Sequence, residues 1–291
     1  MDTVVVLIAR PGTGALDDSF IGRVVTLTKP AEVRWLAREE ACEMPVAGRA
    51  GIEDSLRALI ADRPVDVAVL SAAHRRKRLL LADMDSTMIA QECIDELGAA
   101  AGQGEKIAEI TARAMRGEID FAASLRERLS LMAGLEASVI GRLVGATQFT
   151  KGGRTLVQTM KSHGAHTVLV SGGFTVFTRH VAEVLGFDAQ RANELVIAGG
   201  RLTGLAREPI LGRDAKTAAL HEIAGKLGLE LVETLAVGDG ANDIDMLAAS
   251  GLGVGFHAKP AVRAQARARI DHGDLTALLY LQGYAKSAFV T

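Results

Sequence analysis

Two aspartates stand one residue apart directly after an apolar run, in the segment LLLADMDST at 79–87. Three leucines and an alanine precede Asp83, which predicts that this residue and Asp85 emerge from the end of a buried strand. Carboxylates so close together repel each other, and burial disfavours their charge further. A bound cation is the usual means of stabilising such a pair, so the segment indicates a metal site.

Similar residues stand where two further apolar runs, at 167–171 and 234–238, come to an end. These residues are Ser171, Gly172, Gly173, Asp239, Asn242 and Asp243. Open α/β sheets bind their ligands at the carboxyl ends of the strands. We therefore expect these side chains to meet in one crevice with Asp83.

The residue types in this set are those that phosphoryl transfer needs. Asp83, Asp239 and Asp243 offer the hard oxygen ligands that Mg²⁺ prefers. Ser171 and the glycines after it present a hydroxyl and backbone N–H groups to a phosphate at the start of a helix, and Lys216 adds a positive charge. Each feature alone is weak evidence for this chemistry. An isolated lysine, for example, is more often a solvated helix residue. Together they indicate transfer through an aspartyl-phosphate.

Short apolar runs alternate with helical stretches from Leu79 onward, which predicts a Rossmann-like parallel α/β sheet. The strand-like runs are 79–83, 167–171, 234–238 and 251–255. The segment at about 88–149 shows only helical periodicity, and we expect it to form a cap over the carboxyl ends of the strands. ELVIAGGRLTG at 194–204 is typical of a β-hairpin that turns at its two central glycines.

The first 72 residues predict a separate ferredoxin-like α+β domain with the element order βαββαβ. This order resembles that of the ACT domain, and regulatory binding there stays open because the fold hosts many functions. We therefore divide the chain into a domain at 1–72 and a second domain at 73–291. Where they join, the basic run SAAHRRKR predicts a solvated linker.

Composition argues against several classes of protein. The chain has 291 residues, of which 48% are hydrophobic and 23% are charged, which suits a globular protein with a sizeable core. Its net charge of −2 gives no global field that would recruit nucleic acid or an acidic membrane. We expect a cytoplasmic protein, because no apolar run is long enough for a membrane span and no basic region precedes the short apolar run near the N-terminus.

The segment DMDST at 83–87 resembles the motif that opens the haloacid dehalogenase superfamily. The later motifs of that superfamily follow in the same order at Ser171, at Lys216 and at 238–243. Within the superfamily, four segments are similar to the phosphoserine phosphatase family: DMDSTMIAQECIDEL, DFAASLRERLSLM, LVSGGFT and VGDGANDIDM. This likeness implies Mg²⁺-dependent hydrolysis of L-phosphoserine to L-serine and phosphate, the last step of serine biosynthesis.

The resemblance also implies roles for the carboxylates. Asp83 is the expected nucleophile, and Asp85 is the expected general acid and base, which requires a raised pKa at Asp85. Mg²⁺ is implied at Asp83, at Asp239 and at the backbone carbonyl of Asp85, with Asp243 as a further ligand.

Substrate contacts are implied in the same way. Glu92 matches the family glutamate that meets the ammonium of phosphoserine, and Arg128 matches the arginine that clamps its carboxylate. The implied phosphate contacts are Ser171, Gly172, Lys216 and Asn242. Met115 and Phe121 are candidates for an apolar wall of the closed pocket.

Alternative functions stay open. The same site suits transfer of the phosphoryl group from phosphoserine to another alcohol, or hydrolysis of a different small phosphomonoester, because the nucleophile and metal site are shared. A regulator that binds an amino acid is disfavoured, since a scaffold does not need a complete catalytic set. The sequence also leaves open whether the chain forms a homodimer.

Overall fold

Two sheets organise the chain, and the computed structural model describes them within residues 3–48 and 51–291, with Met115 described by its backbone alone. A ferredoxin-like α+β unit precedes a parallel α/β sheet that carries a helical cap, so the predicted fold class is confirmed. Among the described residues, no helix has both the length and the apolar character that crossing a membrane requires.

The N-terminal unit has the predicted order βαββαβ. Its elements are β1 (Thr3–Ala9), α1 (Asp18–Thr28), β2 (Arg34–Ala37), β3 (Ala41–Val46), α2 (Ile52–Ile60) and β4 (Val65–Ser71). The strands pair antiparallel in the order β2-β3-β1-β4. Both faces of β1 are buried, which explains its unbroken apolar run. Val5 and Leu7 pack under the two helices, whereas Val4 and Val6 pack toward the second unit.

The second unit contains a parallel sheet and a separate hairpin. Its strands are β5 (Leu79–Ala82), β6 (His166–Phe174), β7 (Ala189–Asn193), β8 (Leu195–Ala198), β9 (Arg201–Ala206), β10 (Thr234–Gly238), β11 (Leu252–Phe256) and β12 (Ala268–Ile270). The described strands of the parallel sheet lie in the order β12-β11-β10-β5-β6-β7. The predicted hairpin is β8–β9, and it turns at Gly199 and Gly200, both with positive φ.

The strand order reverses at β5, since the chain adds β6 and β7 on one side and later β10, β11 and β12 on the other. Ligands of open α/β sheets bind at such a switch point. The register brings the predicted site residues to one level there. Ala82 pairs with Leu169 on one side and with Val237 on the other. Asp83 is therefore level with the strand ends that carry Ser171 and Asp239.

The helices of the second unit form a cap and cover the sheet. They are α3 (Cys93–Ala100), α4 (Gly104–Met115), α5 (Phe121–Ser130), α6 (Ser138–Gly145), α7 (Gly153–Ser162), α8 (Thr175–Leu185), α9 (Arg213–Lys226), α10 (Ile244–Ala249), α11 (Pro260–Arg263) and α12 (Ala277–Leu281). The helices α3 to α6 form the cap, and a bridge between Ile89 and Phe149 joins its two ends at the base. The hairpin β8–β9 packs on α5, so it supports the cap.

Local sequence explains where a cap helix begins. Asp120 precedes α5, and its carboxylate accepts the backbone N–H of Ala123 at 2.7 Å. This bond satisfies one of the N–H groups that the first turn leaves without a partner in the helix. Leu125 and Leu129, one turn apart, then bury one face of α5 in the core.

The prediction that SAAHRRKR is a solvated linker is wrong for Arg75 and Lys77, whereas the other residues of the run are exposed. The Arg75 side chain is 13% exposed, and its Nη1 lies 2.6 Å from Glu43 of the N-terminal sheet. Lys77 is buried, and its Nζ donates to the carbonyl of Val232 at 2.6 Å. Arg75 bridges the two units, since it also donates to the carbonyl of Leu281 at 3.1 Å. Its acceptors come from distant segments of the chain, so the run alone does not reveal them.

Candidate active site

A tight turn after β5 carries the first pair of aspartates. Met84–Met88 form an irregular turn, in which Asp85 has extended backbone and Ser86 has a φ of 54°. The Asp83 carboxylate accepts the backbone N–H of Met84 at 2.8 Å, and the N–H of Asp83 donates to the carbonyl of Val237 at 3.0 Å. These bonds fix the place where Asp83 leaves the sheet, and the left-handed Ser86 then turns the chain away from the strand direction.

Lys216 connects two of the predicted metal-binding aspartates. Its Nζ lies 2.6 Å from Oδ1 of Asp83 and 2.6 Å from Oδ1 of Asp243. The lysine comes from the first turn of α9 and is only 2% exposed, so it is not a solvated helix residue. Burial alone would lower the pKa of Lys216, but the charges of Asp243 and Asp83 raise it above its ordinary value. Lys216 is therefore a fixed positive charge between two carboxylates.

Three buried carboxylates lie close enough to share one cation. Oxygens of Asp83, Asp239 and Asp243 lie within 4.8 Å of one another. Burial and the charge of Asp243 raise the pKa of Asp83 well above its ordinary value, and burial also raises the pKa of Asp239. The set fits a hard divalent cation, because carboxylate oxygens are its preferred ligands and its charge offsets the cost of burying them.

Asp85 lies beside this cluster, and both of its carboxylate oxygens accept hydrogen bonds. Oδ1 accepts the backbone N–H of Cys93 at 3.0 Å, and Oδ2 accepts the hydroxyl of Ser171 at 3.1 Å. Burial raises the pKa of Asp85, although the hydrogen bonds from Cys93 oppose the rise. The direction is the one expected of a carboxyl group that must donate a proton. The Asp85 side chain is not part of the group of three carboxylates.

Glu92 is held next to the cluster by two neighbours. It stands before the first residue of α3, and its carboxylate accepts the hydroxyl of Ser86 at 2.8 Å. The Nζ of Lys259 lies 3.5 Å from Glu92 and 3.1 Å from Asp239. Lys259 therefore connects the predicted ammonium-binding carboxylate with a predicted metal ligand. It is absent from the predicted set, although it closely follows β11 as Asp239 follows β10.

Arg128 lies on α5, in the cap, and its guanidinium is directed by the helix itself. Nε donates to the carbonyl of Ser124 at 3.3 Å. Burial lowers the pKa of Arg128, and the charges of Asp95 and Glu92 oppose that shift. Arg128 thus lies within electrostatic reach of Glu92, while the described residues include no salt bridge between the two.

Phe121 covers Gly172 near the end of β6 and Gly212 at the start of α9. A Cβ placed on Gly172 would lie 3.1 Å from Cζ of Phe121, and one on Gly212 would lie 3.3 Å from Cδ1 of the same ring. The ring of the first residue of α5 thus contacts the backbone where a phosphate is expected. A side chain at either position would require the ring to move by a few tenths of an ångström. The side chain of Met115, the other candidate for the apolar wall, lies outside the described residues.

Asn242 is the predicted contact that the structure ties least to the others. It stands in the turn Ala241–Asp243, where Asp243 accepts the backbone N–H of Gly240 at 3.1 Å. The Asn242 side chain is half-buried, and no described residue is hydrogen-bonded to it. Other predicted site residues do come together. Lys216 contacts both Asp83 and Asp243.

Comparison with known proteins agrees with this geometry. A family model for haloacid dehalogenase-like hydrolases matches residues 80–248. The phosphoserine phosphatase of Streptomyces coelicolor is 46% identical over 224 residues, which cover 76% of this chain and 55% of that protein. The phosphoserine phosphatase of Streptococcus thermophilus is 44% identical over 199 residues, which cover 68% of this chain and 93% of that protein.

A solved structure extends the likeness to both units. The unliganded structure of a probable phosphoserine phosphatase from Vibrio cholerae matches with a TM-score of 0.80 and 29% identity, covering 99% of this chain and 88% of that one. This chain spans little more than half the length of the Streptomyces coelicolor relative. The family model covers more than half of the chain, and the motif residues that it spans lie together at the switch point of the sheet. The chain belongs to the haloacid dehalogenase-like hydrolase family.

Proposed function

We propose that this chain hydrolyses L-phosphoserine to L-serine and phosphate, as the last step of serine biosynthesis. The observation that carries the proposal is the buried contact of Lys216 with Asp83, beside the hydrogen bond between Ser171 and Asp85. This arrangement combines a carboxylate nucleophile, a fixed positive charge and a proton donor in one crevice. The names of the relatives support the choice of substrate.

In the first step, a carboxylate oxygen of Asp83 attacks phosphorus, and the bond between phosphorus and the serine oxygen breaks. Asp85 gives its proton to that oxygen, so that serine leaves as an alcohol. The phosphoryl group is then bound to Asp83 as an acyl phosphate. The raised pKa of Asp85 favours the protonated form that this step needs.

In the second step, the ionised Asp85 takes a proton from water. The water oxygen attacks phosphorus, the bond to Asp83 breaks, and phosphate leaves. The hydroxyl of Ser171 and the N–H of Cys93 hold the Asp85 carboxylate in place between the two steps. Asp83 is then a free carboxylate again, and Asp85 keeps the proton that it took from water, so both residues are ready for the next turnover.

We propose Mg²⁺ as the cation of the site. Asp83, Asp239 and Asp243 would hold it, with the backbone carbonyl of Asp85 as a further ligand. When bound, the cation supplies positive charge that reduces the repulsion between the carboxylate nucleophile and the anionic substrate.

Recognition of the amino-acid part of the substrate is assigned to the cap. We propose that Glu92 binds the ammonium and that Arg128 binds the carboxylate in a two-pronged contact. Glu92 is already held by Ser86, which prepares it for a cation. Ser171, Gly172, Lys216 and Asn242 are the proposed phosphate contacts.

We propose that the chain divides into one domain at 1–72 and another at 73–291, with the cap at about 88–149. We also propose a cytoplasmic location, a small-molecule substrate as the partner of the site, and a homodimer as one assembly to be tested.

The test is phosphate release from L-phosphoserine, with Mg²⁺ and then with EDTA, beside the variant Asp83→Asn. We expect metal-dependent release by the intact protein and none above background by the variant. Added homoserine separates hydrolysis from transfer, because transfer would form a phosphorylated acceptor in place of free phosphate. If the intact protein releases no phosphate, the proposed substrate is wrong.

A further inference from the structure

A cavity of about 190 Å³ lies in the seam between the two units, beside the end of the edge strand β12. The helix α2 and the strand β4 line one side, and α11, β12 and the loop after β12 line the other. The charged and titratable lining residues are Arg57, Asp66, Arg263, Arg269, Asp271 and His272. The cavity is many times larger than the space that one water needs, so it has room for a small metabolite.

The guanidinium groups of the cavity have unequal partners. Arg263 lies 2.9 Å from Oδ2 of Asp271, whereas Nε of Arg269 lies 4.0 Å from the same oxygen. Arg57 pairs with Glu53 of its own helix, at 3.1 Å from Nε. Arg269 is therefore the cation of this group with the weakest contact to a carboxylate among the described residues.

Asp66 contributes a carboxylate to the cavity, but backbone groups already occupy its oxygens. Oδ1 accepts the N–H of Asp271 at 2.7 Å, and Oδ2 accepts those of His272 at 3.1 Å and Gly273 at 2.8 Å. The aspartate belongs to β4, and the three donors belong to the loop after β12. Asp66 thus fixes the second unit against the first and leaves the arginines to face the cavity.

Two buried nitrogen atoms of the lining have no hydrogen-bond partner among the described residues: Nε of Arg269 and Nδ1 of His272. Both atoms are shielded from the open space of the cavity, so a ligand there would meet the other guanidinium nitrogens of the arginines. Burial and the charges of Arg57 and Arg263 lower the pKa of Arg269, because three guanidinium groups lie close together around the cavity. An anion in the cavity would offset the repulsion among these cations.

We propose that this cavity is a binding site for a small oxyanion, either a carboxylate- or a phosphate-bearing metabolite. The anion would be clamped between Arg57 of the N-terminal unit and Arg263 and Arg269 of the second unit. Guanidinium groups bind carboxylate and phosphate oxygens in pairs, which suits this lining. The site exists only where both units meet, which gives the N-terminal unit a role as one wall of a binding site.

Two connections join the proposed site to the active site, and the first is the short helix α11. α11 ends at Arg263, and it begins directly after Lys259, which lies 3.1 Å from Asp239. A second connection runs through the ring of His257, whose Nε2 is 2.8 Å from the carbonyl of Gly273. The segment between β11 and α11, which contains His257 and Lys259, thus contacts both the loop beside the cavity and the carboxylate cluster.

The test is isothermal titration of the full-length protein with inorganic phosphate and, separately, with L-serine, in metal-free buffer. The variants are Arg269→Met and Arg57→Met. Arg267→Met is the matched control, because Arg267 is exposed and does not line the cavity. Serinamide, which lacks the carboxylate, is the control ligand for L-serine. Circular dichroism melts show whether each variant is folded. Arg57 belongs to the N-terminal unit and Arg269 to the second unit, so the two variants test both walls of the cavity.

We expect at least one probe to bind, and we expect each cavity variant to weaken that binding by about tenfold or more, the loss typical of one charge-assisted hydrogen bond. The control variant should bind as the wild type does. The probe that binds identifies the recognised group as phosphate or carboxylate. Absence of binding by both probes, or binding that the cavity variants leave unchanged, would overturn the proposal. If phosphate bound only at the carboxylate cluster, the cavity variants would leave its binding unchanged, and the proposal would be overturned.

Discussion

The ammonium nitrogen of Lys216 lies 2.6 Å from a carboxylate oxygen of Asp83, and both residues are buried. A buried ion pair adds little net stability, but breaking it is costly because the remaining charge has no partner. Asp243 shares the same lysine, and Asp239 lies beside them. The balance of charge in this cluster therefore affects both the chemistry and the stability of the fold.

Replacement of the shared lysine should affect both properties. We expect Lys216→Met to remove most of the activity and to lower the free energy of unfolding by about 3 kcal/mol or more. Mg²⁺ should restore part of the lost stability, since it offsets the charges of Asp83 and Asp243. Urea unfolding with Mg²⁺ and with EDTA measures this.

Lys226→Met is the matched control, because it removes an exposed lysine from the other end of the same helix. It should leave both properties nearly unchanged. A Lys216→Met protein that is as stable as the wild type in EDTA would contradict the role assigned to the ion pair.

The position of the Asp85 carboxylate can be disturbed by one methyl group. A Cβ on Gly173 would lie 2.9 Å from Oδ2 of Asp85 and 3.0 Å from Oγ of Ser171. We expect Gly173→Ala to lower kcat by about tenfold or more, since displacements near 1 Å in an active site have effects of this size. The free energy of unfolding should change much less.

Gly225→Ala is the control for that variant. Gly225 is in α9, and no described atom lies within 4 Å of the added carbon. Steady-state kinetics on both variants gives the comparison. Equal kcat values for the two would show that the contact between Ser171 and Asp85 is not needed for turnover.

Arg128 should discriminate substrates by their carboxylate. We expect Arg128→Met to lower kcat/KM for L-phosphoserine by about 10- to 100-fold, the range for one or two charge-assisted hydrogen bonds. Phosphoethanolamine lacks the carboxylate, so its kcat/KM should hardly change. The control is Arg126→Met on the same helix, which removes an exposed arginine that pairs with Glu208 at 2.7 Å. Equal losses for the two substrates would argue against a carboxylate contact.

Lys77 should make the stability of the protein depend on pH. Burial and the charge of Arg267 lower the pKa of Lys77 from 10.5 to about 8 in the folded chain. Between these two values the unfolded chain binds more protons than the folded one, so the free energy of unfolding rises with pH. Below about pH 8 the side chain is charged in both states, and its cost is constant.

Lys77→Met removes this contribution. The free energy of unfolding of the variant minus that of the wild type should fall as the pH rises from about 8 to 10.5, by up to about 3 kcal/mol. Urea unfolding across this range measures the difference, which removes the contribution of other titrating groups. A difference that is constant with pH would contradict the lowered pKa.

The regular elements that face the core could be predicted from the sequence. Apolar runs such as LLLA and TLAVG are strands in the structure, because a strand buried on both faces needs apolar residues throughout. Two edge strands escaped prediction. β7 has the sequence AQRAN, with three polar residues that its position at the edge tolerates, and β12 is only three residues long. Neither carries a pattern that distinguishes a strand from a loop.

The site could be predicted in its types of residue but not in all its contacts. The strand-end aspartates were identifiable because the topology of a parallel sheet brings strand ends together. The contact of Lys216 with two carboxylates could not be predicted, since it depends on how α9 packs beside the strand ends. The buried contacts of Arg75 and Lys77 were misjudged for a related reason, because a run of basic residues does not show where its acceptors will lie.

Chemical trapping can show whether Asp83 receives the phosphoryl group. The protein is mixed with L-phosphoserine and Mg²⁺, quenched in acid during turnover and reduced with borohydride, which converts an acyl phosphate of aspartate to homoserine. Peptide mass spectrometry then locates the altered residue. We expect homoserine at position 83, and none when substrate is omitted. Phosphate release with an unmodified Asp83, or homoserine at another aspartate, would contradict it.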